Sequence, residues 1–302
     1  MTPFASYEIR EIRPNETAAL FVVHAAIDPT DAGQLLSWTQ GLEERLETGG
    51  RAWVAARGRR LAGYAVADPV PGLPGAHDLS GGVVPARRRQ GLGTMLLRHI
   101  QEAAAGVGIR QLSCRVADVE DETARFLLRR EFRIEHEECL LVLDDFSTLP
   151  PLAEEPHLEL AVFPREEAVA HFLRVYDDSF SGLSWSQPYS EAEVVAALAQ
   201  PDDLLFAVVG GRPVGVIWHE MMSAEVGRVE PLGVGREHQG RGLGRRLLLA
   251  ALADLHHRGA QEVQIGVWRE NHAAMTLYKS LGFAEIDNWY FLAYDVGAPD
   301  SG

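Results

Sequence analysis

Residues 7–13 alternate around Tyr7, Ile9 and Ile12 and predict a strand. Pro14 suits the first turn of a helix, and 16–26 continues with helical spacing; a second helix is expected around 35–46. The apolar runs 52–56 and 61–66 flank Arg57, Gly58, Arg59 and Arg60, which is a hairpin signal. A loop rich in Pro and Gly fills 68–76, and a strand follows at 78–84. Next come a basic, glycine-bearing turn at 85–93, a helix to about residue 105, a strand at 111–116, a short helix at 122–130 and strand material at 132–143. The stretch 144–157 is dense in prolines and acids and reads as a connection between domains.

Beyond it the pattern returns. Residues 158–162 alternate, Pro164 opens a helix as Pro14 does, and 204–218 forms a hairpin around Gly210, Gly211, Arg212 and Pro213. Gly91 and Gly242 lie 151 positions apart, as do Phe132 and Phe283. The segment from the glycine turn to that Phe therefore aligns without a gap. The reading is α/β, two homologous domains with a mixed sheet each, since hairpins and helical crossovers both occur. The expected boundaries are 1–146, a linker at 147–157, and 158–302. The length of 302 residues fits two domains.

Composition narrows the function. The net charge of −15 and pI near 5.2 argue against binding nucleic acid or an anionic membrane surface, both of which call for a basic face. They are compatible with a cationic substrate, and equally with a solvated acidic surface. Cys114 and Cys139 are too few for a disulfide framework and read as core filler. No Cys or His spacing suggests a metal site, and the adjacent His256 and His257 do not share a helix face. Neither a signal peptide nor a membrane-length apolar run is seen, so a cytoplasmic protein is expected, as monomer or homodimer.

The turn Gln239, Gly240, Arg241, Gly242, Leu243, Gly244 follows the apolar run 231–234 and leads into a helix at 245–255. A helix N-terminus offers unpaired N–H groups and partial positive charge, and glycines let the backbone approach an anion. Arg241, Arg245 and Arg246 add fixed charge. Taken alone, the turn could be a phosphate cradle or an ordinary strand-to-helix connection.

Two motifs in register change this. Gln239-x-x-Gly242-x-Gly244 is echoed by Arg88-x-x-Gly91-x-Gly93, and residues 271–283 run from Asn271 through Tyr278 to Leu281, Gly282 and Phe283. With them the chain resembles a tandem member of the GNAT N-acetyltransferase superfamily, over both halves. The resemblance implies mostly antiparallel twisted sheets flanked by helices, with a splayed fourth and fifth strand. It implies acetyl-CoA as co-substrate, a small-molecule primary amine as acceptor, and direct attack in a ternary complex. Pyrophosphate would lie on Gln239, Gly240, Arg241, Gly242, Leu243, Gly244 and Arg245. The pantetheine arm would run along Leu232, Gly233 and Val234, whose backbone would also polarise the acyl carbonyl. Asn271 and Ala274 would contact the cofactor. Tyr278 would protonate the departing thiolate, its pKa of about 10 lying above that of a thiol. Pro231 would be awkward in a fully paired central strand but suits one that parts from its neighbour.

The base is open. Glu230 is the first candidate, with Glu220, His219 and Glu225 as rivals and a water chain as a further option. The aromatic and acidic run 176–189 either walls an acceptor cleft or simply connects two helices. Two other functions stand beside the leading one. One is a CoA-binding sensor without turnover. The other is a mycothiol-synthase-like transfer to a cysteinyl sugar amine, since that type shares the two-domain arrangement.

The first half departs from the pattern. At the constant offset, Asn271 becomes Glu120, Tyr278 becomes Leu127, Leu281 and Gly282 become Arg130 and Glu131, and Gly240 becomes Arg89. It is expected to be non-catalytic, either still holding CoA or serving as a scaffold for the other domain. Retained CoA binding there would use Val83, Val84, Arg88, Arg89, Gly91, Gly93 and Thr94.

Overall fold

A computed structural model describes residues 7–31, 35–152, 158–184 and 186–297. In chain order its elements are β1 (Glu8–Glu11), α1 (Thr17–Ile27), α2 (Leu35–Glu47), β2 (Arg51–Arg57), β3 (Arg60–Pro69), β4 (Ala76–Val83), α3 (Leu92–Ala104), β5 (Gln111–Val116), α4 (Glu122–Leu128) and β6 (Arg133–Leu143). The second series is β7 (Glu159–Ala161), α5 (Arg165–Phe180), α6 (Glu191–Ala197), β8 (Leu204–Val209), β9 (Arg212–Met221), β10 (Val226–Val234), α7 (Leu243–His257), β11 (Glu262–Trp268), α8 (His272–Lys279) and β12 (Ala284–Asp295). The elements expected from periodicity are present in the expected order, and short 3₁₀ turns punctuate them. Part of the expected linker, 153–157, lies outside the described residues.

Two compact units emerge, and both exchange a strand segment across the sequence midpoint. Of the described residues, the first takes those up to Glu135 and adds 291–297; the second takes those within His136–Tyr290. The units thus differ from the boundaries 1–146 and 158–302 at both ends. Residues 136–143 of β6 belong with the second unit, and residues 291–295 of β12 with the first. In the first unit Tyr294 packs on Phe132, and Asp295 accepts hydrogen bonds from Gln111 and Arg133. In the second, β6 pairs antiparallel with β11 from Val263↔Leu143 to Trp268↔Glu138.

The first unit's strands run β1-β2-β3-β4-β5, antiparallel except that β4 and β5 are parallel. The second unit's run β7-β8-β9-β10-β11-β6, with β10 and β11 parallel. In each, the parallel pair is joined at only three positions: Ala76 to Asp78 against Gln111 to Ser113, and Val226 to Arg228 against Glu262 to Gln264. After those positions the strands part.

Both faces of the second sheet are built from simple patterns. On α7, Leu247, Leu248, Ala251, Leu252 and Leu255 recur at helical spacing and are fully buried against Ile217, Val229, Val263 and Ile265. Phe172, Val175 and Tyr176 of α5 cover Phe206, Val216 and Trp218 on the other face.

Candidate active site

The site of the second unit begins with an irregularity in β10. Val229 pairs with His219 and Leu232 with Ile217, so Glu230 and Pro231 together stand opposite one residue, Trp218. Such a bulge bends its strand and re-aims its side chains. The Glu230–Pro231 peptide is cis. Strand β4 of the first unit pairs with β3 residue for residue from Gly63↔Val83 to Pro69↔His77, with no bulge. The extra residue explains a small shift in the repeat. The strand starts Ala76 and Val226 are 150 apart, and the glycines beyond the bulge are 151 apart.

Beyond the bulge, Leu232, Gly233 and Val234 pair with β9 only. Strand amides alternate in direction, so this stretch presents backbone groups to the edge that β11 has vacated. Gly233 and Gly235 are pressed by α5: a Cβ on Gly233 would lie 2.8 Å from Phe180, and one on Gly235 would run into the Asp178 carboxylate.

The glycine turn is held to the strand by the first residue of the motif. Gln239 Nε2 donates to the Val234 carbonyl at 2.9 Å, and in the first unit Arg88 Nε donates to Val83 at 3.0 Å. Gly242 (φ 79°) and Gly91 (φ 88°) both adopt the left-handed cap at the helix start. A Cβ on Gly240, Gly242 or Gly91 would meet nothing in the protein, so the turn's outer surface is open for an anion to approach. The N-terminal amides of α7 lie beneath it. Leu243 anchors the helix in the core, while Arg241 is exposed and Arg245 Nη1 donates to Ser280 Oγ at 2.8 Å. These features fit a pyrophosphate-bearing group.

Asn271 caps α8, its side chain accepting from the Ala274 amide at 3.2 Å. In the first unit the cap is Asp121, accepting from Ala124, so the expected counterpart Glu120 is displaced by one residue. The end of the helix keeps the 151 offset. Leu277 lies over Gly244 as Phe126 lies over Gly93, and the Phe283 and Phe132 amides bond to the carbonyls of Tyr278 and Leu127. Leu127 therefore occupies the place of Tyr278. The left-handed positions Gly240 and Gly282 are matched by Arg89 (φ 59°) and Glu131 (φ 69°), non-glycine residues in that region.

Tyr278 is buried, and burial first, then the negative charge of Glu230, push its pKa upward. The hydroxyl keeps its proton and can donate it. Glu230 is exposed to solvent, though protein atoms crowd around its carboxylate. That enclosure pushes its pKa up to about 7; Arg228 opposes the shift and Glu138 adds to it. Its carboxylate crosses the splayed gap toward β11, where a Cβ on Gly266 would lie 3.4 Å from Oε2.

The rival bases are engaged in other contacts. His219 is buried on the α7 side, bonded to Asp254 at 3.0 Å, with burial lowering its pKa. Glu220 is paired with Arg228, and Glu225 accepts from Gln261 near the β9–β10 turn. The described part of the run 176–189 packs as the connection after α5. Tyr176 and Phe180 pack as part of α5, and Tyr189 lies edge-on to Tyr176 with centroids 4.9 Å apart. Burial, with Tyr176 and Glu230 nearby, pushes Tyr189 up to about 12. Trp185 lies outside the described residues. Sequence reasoning missed Gly266 and Glu138, which no motif marks.

In the first unit the parted strands enclose a cavity of about 1130 Å³, lined by Val83, Arg88, Arg89, Gly91, Gly93 and Thr94 among others. Thr94 Oγ1 accepts from Arg130 at 2.7 Å, and Val84 lies at the cavity's edge beside Val83, its amide bonded to Ala62. Tyr64, bonded to His24 at 2.8 Å, also lines it.

Comparison with known proteins agrees with this geometry. The profile of the Acetyltransferase (GNAT) family matches residues 16–132 and again 167–283. A mycothiol acetyltransferase of Thermomonospora curvata is 33% identical over 236 residues, covering 74% of this chain and 75% of that one. One of Thermobifida fusca is 28% identical over 306 residues, covering 90% and 92%. Among solved structures, a GCN5-related N-acetyltransferase from Sphaerobacter thermophilus superposes with a TM-score of 0.68 at 19% identity, covering 98% of this chain and 97% of that one. A tandem GNAT protein from the clavulanic acid biosynthesis pathway gives 0.61 at 20%, covering 97% and 100%. Among the described residues no helix is long and apolar enough to cross a membrane.

Proposed function

The chain belongs to the GNAT acetyltransferase family, whose members use acetyl-CoA as co-substrate, and from that premise we propose that acetyl transfer to a primary amine takes place in the second unit, with Glu230 as base and Tyr278 as acid. The carrying observation is Glu230 itself. It is a carboxylate aimed into the gap between β10 and β11, with a pKa of about 7 that suits proton transfer at neutral pH.

Acetyl-CoA supplies the acyl group as a thioester. The chain's residues do the rest. Amides of the α7 N-terminus, with Gln239 through Arg245 around them, hold the pyrophosphate. Leu232 to Val234 offer backbone groups to the pantetheine arm and a donor to the acyl carbonyl. Asn271 fixes the start of α8, and Ala274, half-buried on that helix, leaves room beside the arm. Glu230, ionised, accepts the proton of the attacking amine, directly or through water. Tyr278 donates to the departing sulfur. The first unit keeps the cradle and a cavity but has Leu127 where Tyr278 stands, which supports CoA binding without turnover there.

Thiol release from acetyl-CoA with a panel of primary amines is the test. Release that depends on an amine is expected. Tight CoA binding with no release for any amine would favour the sensor reading instead. A cysteinyl sugar amine is the second acceptor reading, carried by the mycothiol acetyltransferases that resemble this chain over most of its length.

A further inference from the structure

Strand β6 is encoded in the first half of the chain, yet residues 136–143 lie beside β11 in the second unit. The register puts Glu138 opposite Trp268 and Leu140 opposite Gly266. Residues opposed in an antiparallel pair share a face, and so do residues two apart on one strand. Glu138, Trp268 and Gly266 therefore face the same side, away from the buried Cys139, Leu141, Ile265 and Val267. Glu138 lies diagonally from Gly266, about 7–8 Å along the sheet. Gly266 is where the Glu230 carboxylate arrives from the other side.

Glu138 is held in a fixed orientation. Trp289 Nε1 donates to Oε2 at 2.8 Å, and His136 Nε2 lies 3.5 Å from Oε1. His136 is itself stacked on Trp268, with centroids 3.6 Å apart. Among the described residues no Lys or Arg pairs with Glu138, and the nearby Arg228 is paired with Glu220. About a quarter of the Glu138 side chain remains exposed (24%). A glutamine would accept the indole N–H equally well, without placing a second negative charge near Glu230. The charge therefore needs a reason other than Trp289.

We infer that Glu138 completes the acceptor site of the second unit and binds a second cationic group of the acceptor, on the same sheet face as Glu230. This rests on the acetyl-transfer reading above and narrows its substrate class to amines carrying another positive charge close to the reacting nitrogen. Glu230 takes the proton of the reacting amine, while the Glu138 carboxylate positions the molecule.

The test compares ethylamine, ethanolamine and ethylenediamine as acceptors, with wild type and Glu138→Gln, which keeps an acceptor for Trp289. Wild type is expected to favour the diamine in kcat/KM roughly ten- to hundredfold, the worth of one charge-assisted hydrogen bond. In Glu138→Gln the diamine should lose most of that advantage, mainly through KM. A merely structural role would lower all three acceptors alike. A second readout is the acid limb of kcat/KM. The charged or titratable groups around Glu230 are Arg228, Glu220, Glu138, Tyr176, Tyr189 and Tyr278. Removing the Glu138 charge should move that limb to lower pH. Equal use of the three amines by wild type, or an equal loss for all three in the variant with an unmoved limb, overturns the inference. Calorimetric titration of the same amines into the CoA complex separates the two levels. Diamine binding that depends on Glu138 without turnover would sink the enzyme reading and keep this one. Turnover without discrimination would do the reverse.

Discussion

Residues 88–93 and 239–244 are the same turn built twice, and the two copies differ in what surrounds them. Each has a left-handed glycine at the helix start, and each is tied back to its strand by the side chain of the first motif residue, Arg88 or Gln239. Each opens onto parallel strands that part after three paired positions. The second copy alone adds a bulge that carries Glu230 and a helix that carries Tyr278. The difference teaches that the proposed anion binding would rest on backbone conformation, which a glycine pattern preserves, whereas the proposed proton chemistry would rest on two side chains that the first copy lacks. The first copy has also drifted at its glycines, with Arg89 and Glu131 in backbone positions that suit glycine.

Six substitutions break or sharpen this contrast. The largest effect is expected for Glu230→Gln, a fall in turnover on the order of 10³-fold, the range of a lost general base, read from thiol release under saturating substrates. Tyr278→Phe should cost about 10²-fold, most where thiolate departure limits the rate. An unaltered rate at every pH would remove Tyr278 as the acid. Valine at the two cap glycines separates the copies. A Cβ in the left-handed region costs about 1–2 kcal/mol, so Gly242→Val should weaken CoA binding and turnover together. Gly91→Val should instead lower the number of CoA molecules bound, as counted by calorimetry. A count in Gly91→Val unchanged from wild type would argue against a second cradle. The smallest effects concern stability. Arg89→Gly and Glu131→Gly relieve left-handed strain but enlarge the freedom of the unfolded chain, for a net gain of about 0.5–1 kcal/mol each. The Arg89–Glu122 pair is exposed and its loss counts for little. A rise in melting temperature of about 1–4 °C would show it; a fall at either site would mean that the side chain has a partner worth more than the strain.

Much of this was legible in the chain itself. The alternation of 7–13 and 158–162, the hairpins and the gapless glycine echo gave the order of elements in both halves, and the motif from Asn271 to Phe283 pointed to Tyr278. What was not legible depends on pairing between distant strands. Residues 132–143 read simply as a strand, and nothing local says that its later part pairs with β11 across more than a hundred residues of chain. Glu138 was hidden for that reason. The preference proposed for Glu230 over its rivals rests on the bulge and on the partners of Glu220, His219 and Glu225, none of which the local sequence shows. The helix cap of the first unit slipped from Glu120 to Asp121 because α4 is one residue shorter between cap and end than α8, a change that a constant offset conceals.

The most direct test of chemistry centred on Glu230 is the pH dependence of kcat/KM for wild type and Glu230→Gln, measured with one amine acceptor under identical conditions. Glu230 acts only when ionised, and its pKa is raised to about 7, so wild-type activity should climb as pH rises through that value. The residual activity of Glu230→Gln should lack that limb. A wild-type profile with no limb near 7, or a limb that persists unchanged in the variant, would contradict the assignment of Glu230 as the base.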